Sequence, residues 1–417
     1  MLNLRHSLTH RFGPTLPAKR PPLSDTISGV TESGVTEFAS SSENLALKEA
    51  VIERIQGDGP ITFQDFMAMA LYEPGLGYYC SPGEKIGRAG DYLTSPEVSP
   101  LFGVMIGRQL REMWHLLGRP GTFDIVEPGA GNGTLCRDVL SWAARTAPDF
   151  LDCLRYILID SSPAMTRRQR DLLESERLTE HVRWEACLPQ AITGCILSNE
   201  LLDAMPVHRV SARDEGMLEL FVGWDGRRFV EEFRPPSTPA LEDYFSRLGI
   251  DPPARCLTDV NLDAECWMGE AAARLSSGFL ITFDYGYEAA ELYAPWRTEG
   301  TLLTFYHHNP GSDPYLRLGR QDMTAHVDFT TVGRAGEQAG LATLGLVSQS
   351  QFLSNLGISE ALRLGESDRN LEEYHRRKRA VLELLDPAGL GRIKALVQTR
   401  GQPQAVLTGW AEGVTDA

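Results

Sequence analysis

Phe123-Asp-Ile-Val-Glu-Pro-Gly-Ala-Gly-Asn-Gly-Thr-Leu135 reads as a buried strand that runs into a glycine-rich turn and opens a helix. Ile125 and Val126 supply the apolar strand. Gly129, Gly131 and Gly133 permit positive φ and close backbone approach, and Thr134 to Ala144 carries helical periodicity. The spacing is G-x-G-x-G. A dinucleotide turn needs G-x-G-x-x-G, with a third glycine where this chain has Thr134, and its helix N-terminus holds a pyrophosphate. A Walker loop is excluded as well, since no Gly-Lys-Ser/Thr follows and no lysine occurs between Lys85 and Lys378. The pattern suits S-adenosylmethionine, whose amino-acid end and ribose call for close backbone and a nearby carboxylate. Glu127 is placed to supply that carboxylate. Gly129, Gly131, Asn132, Gly133 and Thr134 are the turn residues expected to line the cofactor.

Further along, Tyr156-Ile-Leu-Ile-Asp160 is a second apolar run ending in an acid, and Ser161-Ser-Pro-Ala164 follows with the look of a helix start. Asp160 therefore sits at a strand's carboxyl end, where open α/β sheets bind ligands and a carboxylate can accept both ribose hydroxyls. Leu197-Ser-Asn-Glu-Leu-Leu-Asp-Ala-Met-Pro-Val-His208 leaves a further strand through a polar pair. Polar groups ending an apolar strand are costly unless they have partners or a task. Asn199, Glu200 and Asp203 are accordingly catalytic candidates, placed to hydrogen-bond a donor nitrogen of a methyl acceptor and to accept or relay its proton. Asp284-Tyr-Gly-Tyr287 ends another strand with an acid and two aromatics, which can hold a cation by their faces. In Thr324-Ala-His-Val-Asp-Phe329, His326 is a candidate proton acceptor, with Asp328 expected to orient it from the same strand face.

The chain has 417 residues, 42% of them hydrophobic, enough for a substantial core. No run approaches the roughly 20 apolar residues of a membrane helix, and the first residues lack a secretory apolar stretch. A formal net charge of -16 argues against a nucleic-acid partner and is compatible with small molecules or a basic protein segment. Seven cysteines, without a C-x-x-C pair, suggest a reducing compartment and no zinc site; no metal is expected.

Residues 1 to 44, rich in Pro, Ser, Thr and Gly, predict a disordered tail. Arg5, Arg11, Lys19 and Arg20, with no acid before Asp25, share a transit peptide's charge, yet the prolines interrupt an amphipathic helix. The reading favours a bacterial cytoplasmic tail, with the mitochondrial matrix as the location if the source is eukaryotic. Helical patterns at Leu45 to Gln56, Thr62 to Leu71 and Leu101 to Leu117 form an expected N-terminal helical lid over 45–118. Strands near 123–127, 156–160, 182–185, 194–198 and 279–284, separated by helices at 134–145 and 163–175, signal an α/β fold with a mostly parallel sheet. Its first part is expected over 119–206. Residues 207–278 break that rhythm with a hairpin at Asp225-Gly226 and read as an insertion between strands 4 and 5. The rest of the core follows over 279–417, with a helix at Thr331 to Ala339, a strand at Ala342 to Val347, charged helices through Arg400 and a last strand at Gln404 to Trp410.

Six ordered blocks resemble the MidA-like family of class I methyltransferases: Gly90-Asp-Tyr-Leu-Thr-Ser-Pro-Glu-Val-Ser99, Val126 to Leu135, Asn199 to His208, Asp284 to Tyr287, Thr324 to Phe329 and Ser350-Gln-Phe-Leu-Ser-Asn-Leu-Gly357. The resemblance implies a class I methyltransferase, Rossmann-like fold that binds S-adenosyl-L-methionine. For the family's characterised branch it implies symmetric dimethylation of an arginine on a respiratory complex I subunit, in complex I assembly. Asn199-Glu-Leu-Leu also resembles the start of the acidic loop that grips guanidinium in protein arginine methyltransferases. That loop usually carries a second Glu, where here only Asp203 lies near. The second-strand acid, often Glu in the family, is here Asp160. Three functions stay open at this point: a protein arginine methyltransferase, a small-molecule N- or O-methyltransferase, and a non-catalytic assembly factor that keeps the cofactor site. The oligomeric state is not legible.

Overall fold

The computed structural model describes residues 43–362 and 371–411, apart from 82, 84, 88, 89 and 215. The expected tail falls outside these except for Glu43 and Asn44, and Asn44 already caps the helix Leu45–Asp58 through its side chain.

Seven strands form the central sheet: β1 (Phe123–Pro128), β2 (Leu154–Ile159), β3 (Val182–Glu185), β4 (Ile192–Asn199), β5 (Leu275–Asp284), β6 (Ala342–Ser348) and β7 (Lys394–Arg400). Their spatial order is β6-β7-β5-β4-β1-β2-β3. β1 pairs in parallel with both β2 and β4, β2 with β3, and β4 with β5, whereas β7 runs antiparallel to β5 and β6. Connections from β1 lead outward on one side and return to β4 on the other. The carboxyl ends of β1 and β4 therefore flank the crevice in which such sheets bind ligands.

Both faces of the sheet are covered, so its strands read as continuous apolar runs whose side chains alternate between two cores. Ile125, Cys195, Leu197, Phe279, Ile281, Phe283 and Val397 face one core, shared with Phe102, Met105, Ile106 and Leu110 of the helix Pro100–Leu116 and with Leu135, Val139 and Leu140 of the helix Thr134–Thr146. Val126, Ile157, Ile196, Leu280 and Leu396 face the other, against Trp267, Met268 and Ala271 of the helix Leu262–Arg274 and Val332 and Ala335 of the helix Phe329–Gln338. The helix Pro100–Leu116, expected as part of the lid, thus lays its apolar stripe directly into the sheet's core.

Gly194 and Gly278 are directly paired across β4 and β5, with φ of 146° and 133°. A Cβ on Gly278 would lie 1.9 Å from the Gly194 carbonyl oxygen, and one on Gly194 would lie 2.1 Å from the Asp124 carbonyl oxygen. Only glycine permits this approach.

A second sheet joins the expected insertion to the expected lid. The hairpin Gly216–Trp224 with Phe229–Arg234 turns at Asp225, and Gly216–Trp224 also pairs with His208–Arg213 and with Ile61–Thr62. Phe63, Phe66 and Leu71 share a core with Leu220, Val222 and Phe229.

The last strand is displaced from its expected place. Residues 394–400, expected to be helical, form β7, and 404–410 is a turn and a single 3-10 turn, Thr408–Trp410. Gln398 and Thr399 disguised β7, because polar residues rarely occupy a buried strand. Here Gln398 donates to the Gly333 carbonyl (2.7 Å) and Thr399 to the Gly278 carbonyl (2.7 Å). Trp410 meanwhile anchors the following segment by donating its indole N–H to the Ala395 carbonyl at 2.8 Å.

Candidate active site

The turn after β1 carries its three glycines at positive φ, 67° for Gly129, 53° for Gly131 and 82° for Gly133. Gly129 donates to the Ile159 carbonyl and Gly133 to the Ala130 carbonyl, both at 2.8 Å, which folds the backbone tightly between β1 and its helix. A Cβ on Gly131 would meet Ile86 Cδ1, part of the cavity wall, at 3.0 Å. Gln169 fixes the turn to the end of β2. Its amide donates to the Gly131 carbonyl (3.0 Å) and to Asp160 (3.1 Å), while its oxygen accepts the Trp184 indole N–H (3.2 Å). Asp160 also accepts the Ser162 N–H at 2.8 Å; burial raises its carboxyl to about 7, against the lowering effect of these two hydrogen bonds.

Glu127, Gly129, Gly131, Asn132, Thr134, Asn199 and Glu200 come together around one cavity, with Gly133 inside the same turn. Asp160 lines a groove of about 1090 Å³ along the ends of β1, β2 and β3, bounded by Pro128, Ile159, Ala186 and Leu188 and also by Met69 and Tyr72. Glu127 accepts the Tyr156 hydroxyl at 2.6 Å, and burial pushes its carboxyl up to about 8, so it stands largely protonated at neutral pH.

Glu200 ends β4 at φ 52°, a left-handed elbow that a non-glycine residue holds only under constraint. The constraint is visible. Glu200 N–H donates to the Phe283 carbonyl (2.7 Å), and Asp284 accepts the N–H groups of Leu201 (3.0 Å), Leu202 (2.7 Å) and Tyr285 (2.8 Å). The elbow aims the Glu200 side chain back to the cavity, where Oε1 accepts from Ser95 N (3.4 Å) and Asn199 Nδ2 (3.2 Å). Asp203 sits behind it, fully buried. Burial and the neighbouring Asp284 and Glu200 hold its carboxyl well above the usual range, so Asp203 keeps its proton and shares it with Asp284, which burial raises to about 6.

His326 is placed elsewhere. It is buried with its ring edge-on to Tyr287, 5.0 Å between centroids, and borders neither the cavity nor the groove. The expected orienting role of Asp328 gives way to another: the strand breaks after Thr324, and Asp328 becomes the N-cap of the helix Phe329–Gln338. It accepts from Thr330 N, Thr331 N and Oγ1, and the Tyr244 hydroxyl. Tyr285 and Tyr287, expected to hold a cation, stack on the chain's own Arg392 (5.2 Å) and Arg297 (4.3 Å).

Ile86, Tyr92, Thr94, Pro96 and Glu97 complete the cavity from the segment preceding the sheet. Glu97 Oε1 accepts from Thr134 Oγ1 (2.7 Å) and Asn132 Nδ2 (3.1 Å). The sequence signal for this wall was the block Gly90 to Ser99, read there only as part of a resemblance.

A glycine turn beside the carboxyl ends of β1, β2 and β4, with acids at each, defines a class I methyltransferase site. Residues 105–347 match the family Methyltransf_28, described as S-adenosyl-L-methionine-dependent methyltransferases, and the chain belongs to this family. A COG1565 superfamily member from Burkholderia thailandensis, whose crystal structure holds S-adenosyl-homocysteine, is 31% identical, with a TM-score of 0.82 over 93% of this chain and 98% of that one. Among curated relatives, the mitochondrial protein arginine methyltransferase NDUFAF7 of Mus musculus is 29% identical over 81% of this chain and 80% of its own length, and that of Homo sapiens 28% over 75% and 73%. The chain is an S-adenosyl-L-methionine-dependent methyltransferase. The residues present fit the cofactor: the turn from Gly129 to Thr134, short of side chains at its glycines, would take the amino-acid end, and the acid Asp160 would meet the rest of the molecule from the large groove. Among the described residues no helix is long and apolar enough to cross a membrane.

Proposed function

We propose that this methyltransferase modifies arginine in a protein, giving symmetric dimethylarginine, with a respiratory complex I subunit or a similar protein as acceptor. The observation that carries this is Glu200, held in a strained elbow at the end of β4 with its carboxylate turned into the cofactor cavity. The relatives named as protein arginine methyltransferases support the same acceptor, and the resemblance to the MidA-like family supports the complex I assignment.

S-adenosyl-L-methionine supplies an electrophilic methyl group when bound. The chain's task is to bring a nitrogen to it in line and to manage the proton that nitrogen sheds. A guanidinium, with a pKa above about 12, presents only N–H donors, so a fixed carboxylate is the matching partner. Glu200 is fixed from two sides by Ser95 and Asn199, and would hold the guanidinium by its N–H groups and draw positive charge away from the attacking nitrogen. Asp203, protonated and bonded to Asp284, acts through the elbow by holding its floor. Orientation of this kind supplies roughly 7–11 kcal/mol of a bimolecular barrier in favourable cases.

The test is incubation of the purified chain with tritiated S-adenosyl-L-methionine and lysate of its own cells, followed by gel autoradiography and amino-acid analysis. Label in one protein band as symmetric dimethylarginine, lost with Glu200→Gln by about 10²- to 10⁴-fold, is the expected result. Label confined to small molecules, or cofactor binding without any transfer, would refute it.

A further inference from the structure

The cavity beside the glycine turn is lined, among the described residues, by three carboxyl side chains, Glu97, Glu127 and Glu200, and by no basic one. Each has a distinct set of partners. Glu127 accepts the Tyr156 hydroxyl, and burial pushes its carboxyl up to about 8. Glu200 sits on the far wall, tied to Ser95 and Asn199 on the β4 side. Glu97 alone reaches the turn itself, its Oε1 held by the side chains of Asn132 and Thr134, the residues flanking Gly133.

We propose that Glu97 is the anionic partner of the cofactor's α-ammonium group, delivered to the glycine turn by the short helix Ser95–Val98. The amino-acid end of S-adenosyl-L-methionine carries a carboxylate and an ammonium. Backbone N–H groups can satisfy the first and cannot satisfy the second. A cation beside the turn needs a carboxylate within hydrogen-bond reach, and charge-assisted bonds of this type are the strong ones. Glu97 meets the requirement from outside the sheet. The same stretch supplies Ser95 N–H to Glu200, and Ser95 Oγ donates to Gln349 at 2.8 Å, so residues 95–97 bridge the cofactor turn and the acceptor acid.

The measurement is calorimetric binding to the full chain of two ligands that differ only in the amino-acid end, S-adenosyl-homocysteine and 5′-methylthioadenosine. Glu97→Gln keeps an amide oxygen for Asn132 and Thr134 and removes the charge. It is expected to weaken S-adenosyl-homocysteine roughly 10- to 100-fold and to leave 5′-methylthioadenosine unchanged. Equal weakening of both ligands would show that Glu97 only shapes the turn, and no weakening of either would show that the ammonium is held elsewhere; each overturns the proposal. Thr134→Val, which removes one bond to Glu97 and keeps its charge, should preserve most of the discrimination between the ligands, and losing it as completely as Glu97→Gln does would count against the carboxylate's charge as the cause.

Discussion

Replacing Glu127 by Gln should stabilise the ligand-free protein at alkaline pH and do nothing at acid pH. Burial raises the Glu127 carboxyl from 4.5 to about 8, despite a hydrogen bond from Tyr156 that lowers it. An acid raised in the folded state favours folding fully only below its unfolded value. As pH climbs from 4.5 the unfolded chain ionises while the folded one does not, and each pH unit costs the folded state about 1.4 kcal/mol. The loss ends near pH 8, where the folded carboxyl ionises too, and over the whole span it amounts to about 5 kcal/mol. Glutamine has the same shape, offers Tyr156 an oxygen and cannot ionise. The difference in unfolding free energy between Glu127→Gln and the parent, from urea melts at half-unit steps, should rise from near zero at pH 4.5 to a plateau above pH 8. Comparing the two proteins at each pH cancels the contributions of Asp160 and Asp284, whose carboxyls are also raised. A flat difference across this range would refute the burial argument, and a difference of opposite slope would mean the carboxylate is stabilised in place.

Other substitutions probe the backbone of the site. Gly131→Val forces a β-branched residue to φ 53° with its Cβ 3.0 Å from Ile86 Cδ1; cofactor binding by calorimetry should be lost, while unchanged affinity would show that the turn relaxes. Gly278→Ala would put a methyl 1.9 Å from the Gly194 carbonyl oxygen in mid-sheet and should destabilise by more than about 4 kcal/mol in urea melts, far outside the range of ordinary surface changes. Gln169→Leu removes the shared donor of Gly131 and Asp160 and the acceptor of Trp184, at about 1–3 kcal/mol for each buried group left unpaired. Its thermal midpoint should fall and its affinity for S-adenosyl-homocysteine with it.

What could be read from residues alone was whatever is encoded within a dozen neighbours. Glycine spacing and an apolar run located β1 and its turn, and the acids Asp160 and Glu200 were singled out because polar residues closed apolar strands. Features that depend on distant partners were invisible. Gln398 and Thr399 belong to a buried strand only because Gly333 and Gly278, 65 and 121 residues away, accept their hydrogen bonds. Glu97 lies 35 residues from Asn132 and 37 from Thr134, so nothing local marks it. His326 and Asp328 misled for the opposite reason. Two-residue spacing places side chains together only on a continuous strand, and the break after Thr324 turns Asp328 toward the start of a helix.

The position of β7 between β5 and β6 bears on the order in which the chain can assemble on a ribosome. β6 pairs only with β7 in the sheet, and β5 needs β7 to cover its outer edge, yet β7 is synthesised last. Until residues 394–400 emerge, Phe279 to Phe283 is an exposed, uncharged apolar edge, the kind of template that recruits other nascent chains. The parallel strands β1 to β5 can dock while translation continues, but the last pairing waits for the end. A chain cut before Lys394 would therefore lose its guard against aggregation along with its last strand.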